Sequence, residues 1–261
     1  MSFMPRVDAT TTAEWADLVA ELDRWGEAGQ VATLWWRDDD AVAAAPELDA
    51  LLRLAGEVPL ALAVIPADAH PDLAAALAAF PQVTVLQHGW RHANHAANGK
   101  KSEFPPGRPA AAVAADLAEG HARLRALFGP RALPVFVPPW NRFAGEFLPL
   151  LAASGIAGLS SIAAREPPAL PRGIARIDVH VDLVAWKQDR GFIGMAAALA
   201  GLVGNLRARR LGTADAAVAT GILTHHLVMD RATAGFLDRL IALVDGHGAA
   251  RWATVAERLT R

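Results

Sequence analysis

The stretch Gln87-His88-Gly89-Trp90-Arg91-His92-Ala93-Asn94-His95 holds three histidines within eight residues, two of them four apart. On one helical turn that spacing places both imidazoles on the same face. Two neutral imidazole nitrogens suit a divalent ion such as zinc. Two other polar clusters accompany the histidines, Trp36-Arg37-Asp38-Asp39-Asp40 and Gly221-Ile222-Leu223-Thr224-His225-His226. Adjacent carboxylates repel one another, and a cation relieves the repulsion. Neighbours in the triplet that point different ways can divide the work, one holding metal and one accepting a proton. An exposed turn that caps the next helix is the plainer alternative. His225 and His226 end a strand-like run and point in opposite directions, so at most one faces a shared site. Imidazole titrates near neutrality, which suits that one to general acid chemistry. His95 reads as a further ligand, as a group just behind the ligands, as a substrate contact or as a solvated side chain, the last two preferred. Trp140 and Trp186 offer faces on which sugars stack, and equally offer ordinary rim packing.

Those residues need a frame that gathers them. Strand-like apolar runs occur at 31–36, 59–65, 83–87, 133–137, 156–160, 175–179, 217–224 and 249–253. Helix-like stretches lie between most of them, at 47–55, 71–79, 109–128, 145–153, 193–210 and 231–244. Near-continuous apolar strands are expected where a parallel sheet is covered on both faces. Regular β/α alternation points to a parallel α/β architecture, in which the C-terminal strand ends share one face and build the site. The Asp triplet, His88, the Pro138-Pro139-Trp140-Asn141-Arg142 run, Asp178–Asp182 and His225 all fall at or just past such ends.

Composition narrows the field. The chain has 261 residues, net charge -2, 53% hydrophobic residues and no cysteine. Any metal must therefore be held by His and carboxylate, and no disulfide contributes. Nothing in the charge balance suggests nucleic acid or an anionic membrane as partner. No apolar run reaches the length of a membrane span. The lead at 1–30 has no signal-peptide core and contains an amphipathic helix from about Ala13 to Ala28, so a cytoplasmic location is expected. No composition shift divides the chain, and a single barrel-like domain over 1–261 is expected. The polar insertion 96–108 follows the histidines and reads as a rim, a lid or a surface loop.

Taken in order, the motifs resemble the polysaccharide deacetylases, the chitooligosaccharide deacetylase-like carbohydrate esterases. The matching residues are Asp38-Asp39, His88–His92, Pro138-Pro139-Trp140, Asp178–Trp186 and Leu223-Thr224-His225. The resemblance implies a distorted (β/α) barrel of about seven parallel strands. It implies that Asp39, His88 and His92 hold zinc or a similar divalent ion, that Asp38 is the general base and that His225 is the general acid. Leu223 would line an acetyl pocket, and the Trp140 backbone N–H would face the oxyanion. Trp186, His95 and Asn141 join Trp140 and Leu223 as expected substrate contacts. The implied activity is removal of an N-acyl group from a sugar or related amide by metal-activated water, with a small molecule or oligosaccharide as substrate. A metal- and carbohydrate-binding barrel without catalysis, and a hydrolase of another non-peptide C–N bond, are the alternatives. Two positions depart from the pattern. Val137 stands where the family has an arginine that orients the base, and Asp40 stands where it has glycine. Arg142 and Arg37 are the arginines available to take the missing role.

Overall fold

The computed structural model describes residues 14–163 and 168–259. The start of the N-terminal lead and the first residues of the Pro-rich loop 166–173 lie outside the described residues. The chain opens with helix α1 (Trp15–Glu27), whose apolar face is Trp15, Leu18, Leu22 and Trp25. Its first turn is closed by Asp17, which accepts the Glu14 backbone N–H at 2.8 Å.

From there strands and helices alternate as β1 (Ala32–Ala41), α2 (Pro46–Ala55), β2 (Leu60–Val64), α3 (Pro71–Leu77), β3 (Val83–His88), α4 (Ala110–Phe128) and β4 (Ala132–Val137). They continue through α5 (Leu148–Ala153), β5 (Gly158–Leu159), β6 (Ala175–Arg176), β7 (Val181–Asp182), α6 (Met195–Arg210), β8 (Thr220–Thr224), α7 (Arg231–Gly246), β9 (Ala250–Trp252) and α8 (Ala256–Leu259). Every strand pairing is parallel. The order is β6-β5-β4-β3-β2-β1-β8-β7, with β9 added to β1. Only residues 177–180 separate β6 from β7, so one stretch of chain borders β5 at its start and β8 at its end. The sheet thus curls into the expected distorted α/β barrel. Its three two-residue strands, β5, β6 and β7, lie together where the curvature is closed.

Two apolar layers follow from strand alternation. Leu34, Trp36, Leu60, Leu62 and Ile222 face the helices outside. Trp35, Ala61, Ala63, Val135, Val137 and Leu223 fill the interior. At the closing seam, His180 Nδ1 accepts the Gly221 N–H at 2.9 Å. Burial, reinforced by the charge of Arg209, pulls the His180 pKa down to about 4. The folded pKa lies below the unfolded value, so the unfolded chain binds more protons between roughly pH 6.5 and pH 4. Stability therefore falls as pH drops through that window, by roughly 3 kcal/mol in total. The His180→Gln variant keeps an acceptor and loses the titration. Its urea midpoint is expected to decline less than wild type over the same range.

No helix among the described residues is long and apolar enough to cross a membrane.

Candidate metal centre

β1 carries the acidic triplet inside the strand, not beyond it. Trp35 and Arg37 point inward, and Trp36 and Asp38 point outward, as a period of two requires. Asp38 is fully buried on the outer side. It accepts the Thr224 hydroxyl at 2.6 Å and pairs with His226 Nδ1 at 2.5 Å. Trp36 Nε1 in turn donates to Thr224 Oγ1 at 2.8 Å. His226 is pulled down by burial, but Asp38 outweighs this and its pKa is raised.

Past Asp38 the alternation breaks. Asp38 aligns with Leu62 and Ala41 with Val64, so β1 spends one more residue than β2 over the same length. Asp40 takes up the bulge in a left-handed conformation, φ 75°. Ala41 resumes the outward position, packed in the outer layer. Asp39 and Asp40 therefore both face inward.

The carboxylate that joins the histidines is Asp40, in place of the expected Asp39. Asp40 Oδ1 lies 3.1 Å from His88 Nε2 and 3.5 Å from His92 Nε2. One ligand atom from each of these three residues lies within 4.8 Å of the others. His88 Nδ1 faces the Val137 carbonyl at 3.1 Å, a contact that directs Nε2 to the cluster. Burial alone would raise the Asp40 pKa, but His88, then His225 and His92, hold it far below the usual carboxylate range. Burial lowers His88, yet Asp39 and Asp40 together leave its pKa raised. His92 is lowered by burial and by His88.

The two histidines do not share a helical turn. His88 ends β3, and the chain then bends through Gly89 (φ 61°) to His92 (φ 54°). That bend, not helical periodicity, brings the rings to 5.1 Å. Glu103, which sequence reading left in a polar insertion, holds the bend. Its buried carboxylate accepts the N–H groups of Trp90 at 3.1 Å and Arg91 at 2.7 Å. Burial raises its pKa despite those bonds. Gln87 secures the bend from beneath, donating to the Gly89 carbonyl at 3.2 Å and to Leu117 on α4 at 3.2 Å. The insertion is thus packed against the site, with Ser102, Glu103 and Phe104 buried. A Cβ on Gly89 would lie 2.0 Å from Glu103 Oε2 and 2.5 Å from Pro139. Gly89→Ala is expected to cost more than the ~1–2 kcal/mol of a left-handed alanine and to weaken metal binding. Thermal melting and a zinc titration check both.

Asp39 is gripped by Arg37, two residues earlier on the same strand. Arg37 Nε lies 2.8 Å from Asp39 Oδ1, and its NH2 group donates to Oδ2 at 3.0 Å. The arginine is itself fully buried and donates to Ser160 Oγ at 2.7 Å and Asn141 Oδ1 at 3.1 Å. Of the two arginines weighed against Val137, Arg37 is the one in place. Arg142 instead donates to the Lys101 carbonyl at 2.8 Å. Asn141 is accordingly engaged with Arg37.

The remaining expected residues divide. His225 points inward while His226 belongs to the outer Asp38 pair. The His225 ring stands edge-on to Trp186 at 4.7 Å. Trp186 Nε1 donates to Asp182 Oδ2 at 2.8 Å, and burial raises the Asp182 pKa although His225 opposes it. Trp140 packs on His92 at 4.3 Å and has a left-handed backbone, φ 54°. Leu223 is a fully buried member of the interior layer. His95 is exposed, and the structure does not bring it into the metal cluster. Asp40, Arg37, Glu103 and Ser160 were not among the site residues read from sequence. Of these, Arg37 is one of the two arginines weighed as substitutes, and Asp40 is the triplet member that stands where the resembled family has glycine.

No family model matches the chain, and no curated protein matches it by sequence. Solved structures do. A polysaccharide deacetylase structure from Mycobacterium smegmatis, described as putative, is 18% identical with a TM-score of 0.64, covering 89% of this chain and 90% of that one. A Streptococcus mutans CE4 esterase is 16% identical with a TM-score of 0.57, over 93% and 92%. A family 4 acetyl xylan esterase from Clostridium thermocellum, solved with a cobalt ion, is 15% identical with a TM-score of 0.51, over 87% and 90%. Over nearly its whole length, the chain has the fold of the polysaccharide deacetylases and CE4 esterases.

Proposed function

We propose that this protein is a metal-dependent hydrolase that removes an N-acyl group, acetyl above all, from a sugar or related amide. The observation that carries the reading is the convergence of Asp40, His88 and His92 beside an arginine-anchored carboxylate and across from His225. One carboxylate and two imidazoles form a donor set suited to zinc, with coordination positions left for substrate and water. A divalent ion held there would supply Lewis-acid polarisation of the acyl carbonyl and a lowered pKa for water.

The chain's own groups do the rest. Asp39, fixed by Arg37, accepts the proton of the attacking water. β1 and β8 are neighbours, with Arg37 level with Leu223. His225, the first residue past β8, therefore stands beside Asp39, and it protonates the departing amine. Asp182 and Trp186 orient His225, Leu223 closes the floor against the acyl methyl, and Trp140 and Trp186 flank the opening. Asp38 takes no part, because it faces the outer layer. Val137 motivates the alternative of a barrel without catalysis, and the pairing of Arg37 with Asp39 supports the catalytic reading over it.

The test is acetate release from N-acetylglucosamine oligomers and from small N-acetyl amides. Release is expected from zinc-loaded protein, lost with chelator and restored by zinc. Stoichiometric zinc with no acyl release from any of these substrates overturns the reading.

A further inference from the structure

A second polar cavity lies at the opposite end of the parallel strands, near the start of β1, β6 and β8. Its volume is about 250 Å³, and among the described residues it is lined by four arginines, Arg176, Arg209, Arg251 and Arg258, with Glu257 the one acid. Three of these arginines have carboxylates close by. Arg251 meets Glu257 at 2.7 Å, Arg176 meets Asp178 at 3.3 Å and Arg258 reaches Asp215 at 3.7 Å.

Arg209 is different. It is 2% exposed, yet among the described residues no carboxylate forms an ion pair with it, and Asp215 acts on it only from a greater distance. Its NH1 and NH2 groups donate to neutral acceptors only, the Thr33 carbonyl and hydroxyl at 2.8 Å, Thr220 Oγ1 at 2.9 Å and the Ala216 carbonyl at 3.2 Å. Its Nε–H is buried without an acceptor. The Trp25 ring, 5.1 Å away, gives partial compensation. Burial pulls its pKa down to about 10, so the group stays charged at neutral pH. The other fully buried arginine, Arg37, has Asp39 as its counter-ion. A buried charge without a close partner is costly, and among the described residues Arg209 has only the more distant Asp215 to offset it.

We propose that this cavity binds a phosphate-sized oxyanion, free or carried on a small metabolite, at a site separate from the metal centre. Among the described residues the charge balance favours an anion: four arginines against Glu257, Asp178 and Asp215 leave one positive charge over, that of Arg209. Guanidinium forks set around one cavity suit a tetrahedral oxyanion, which accepts from several directions. Thr33, which holds Arg209, lies on the same strand as Arg37 and Asp39, so an occupant of the cavity borders the strand that carries the catalytic carboxylate.

The experiment is calorimetric titration of the zinc-loaded protein with inorganic phosphate, then with a sugar phosphate, against chloride at matched ionic strength. Saturable binding of one equivalent is expected, weakened about tenfold or more in Arg258→Gln and in Arg209→Met and unchanged in Arg53→Gln, a surface control. Arg176→Gln stands in for Arg209→Met if the latter does not fold. Tighter binding of the sugar phosphate than of phosphate identifies a metabolite as the occupant, and equal binding identifies the free ion. Two results overturn the proposal. One is no saturable binding. The other is binding that persists in the arginine variants and disappears with chelator, which would place the anion at the metal.

Discussion

Replacing Asp40 by alanine is expected to abolish bound zinc, whereas replacing Asp39 by asparagine leaves the zinc and stops turnover. The contrast comes from one residue of register. Asp40 Oδ1 sits between the two imidazole Nε2 atoms, and Asp39 is turned to Arg37. Loss of a group that merely orients a ligand typically weakens metal binding about 10–100-fold, and loss of a ligand should exceed that. Asp39→Asn keeps the size and one of the two acceptors facing Arg37 but removes the charge and the proton acceptor, for an expected fall in kcat of about 10²–10⁴. Metal content by elemental analysis, read beside acetate release, separates the two. Full zinc in Asp40→Ala, with none in Asp39→Asn, would return the ligand role to Asp39.

The second large effect belongs to Asp38, and it is one of stability. Asp38 and His226 form a buried pair on the outer face, with Thr224 bonded to the same carboxylate. Removing one partner of such a pair leaves the other desolvated and alone, which costs about 3–5 kcal/mol. Asp38→Ala is expected to lower the denaturation midpoint by a corresponding amount. Its folded fraction, assayed at low temperature, should retain metal and most of its turnover. A variant that folds and melts as wild type does but is inactive would restore Asp38 as the base, the role that the sequence resemblance implies.

The contrast between these two aspartates shows where sequence reading reached its limit. The succession of near-continuous apolar runs and intervening helices made the parallel α/β architecture legible, and the family resemblance supplied the barrel. The period of two along a strand predicted that only one of His225 and His226 would face the site. The triplet was harder. An extra residue in a strand leaves no mark on composition, and a left-handed aspartate at the bulge has no spacing signature. The four-residue histidine spacing was read as helical because helices are the commonest way to bring such a pair together. Here a glycine bend does so, and Gly89 beside His88 was the available signal. Glu103 was hidden because a carboxylate in a polar loop looks solvated until its backbone partners are known. The two-residue strand β7 was too short to carry a period at all.

The position of Arg37 has a final consequence. Arg37 and Asp39, the base of the proposed reaction, lie two residues apart on one central strand, so they form a self-contained cassette whose geometry owes little to the loop after β4. That loop, Pro138–Arg142, contributes Asn141 as a single auxiliary contact to the guanidinium. It is therefore freer to diverge than a loop that must carry the anchor itself. New lengths or side chains there could reshape the entrance, and with it the choice of acyl donor, without disturbing the proton-transfer machinery beneath.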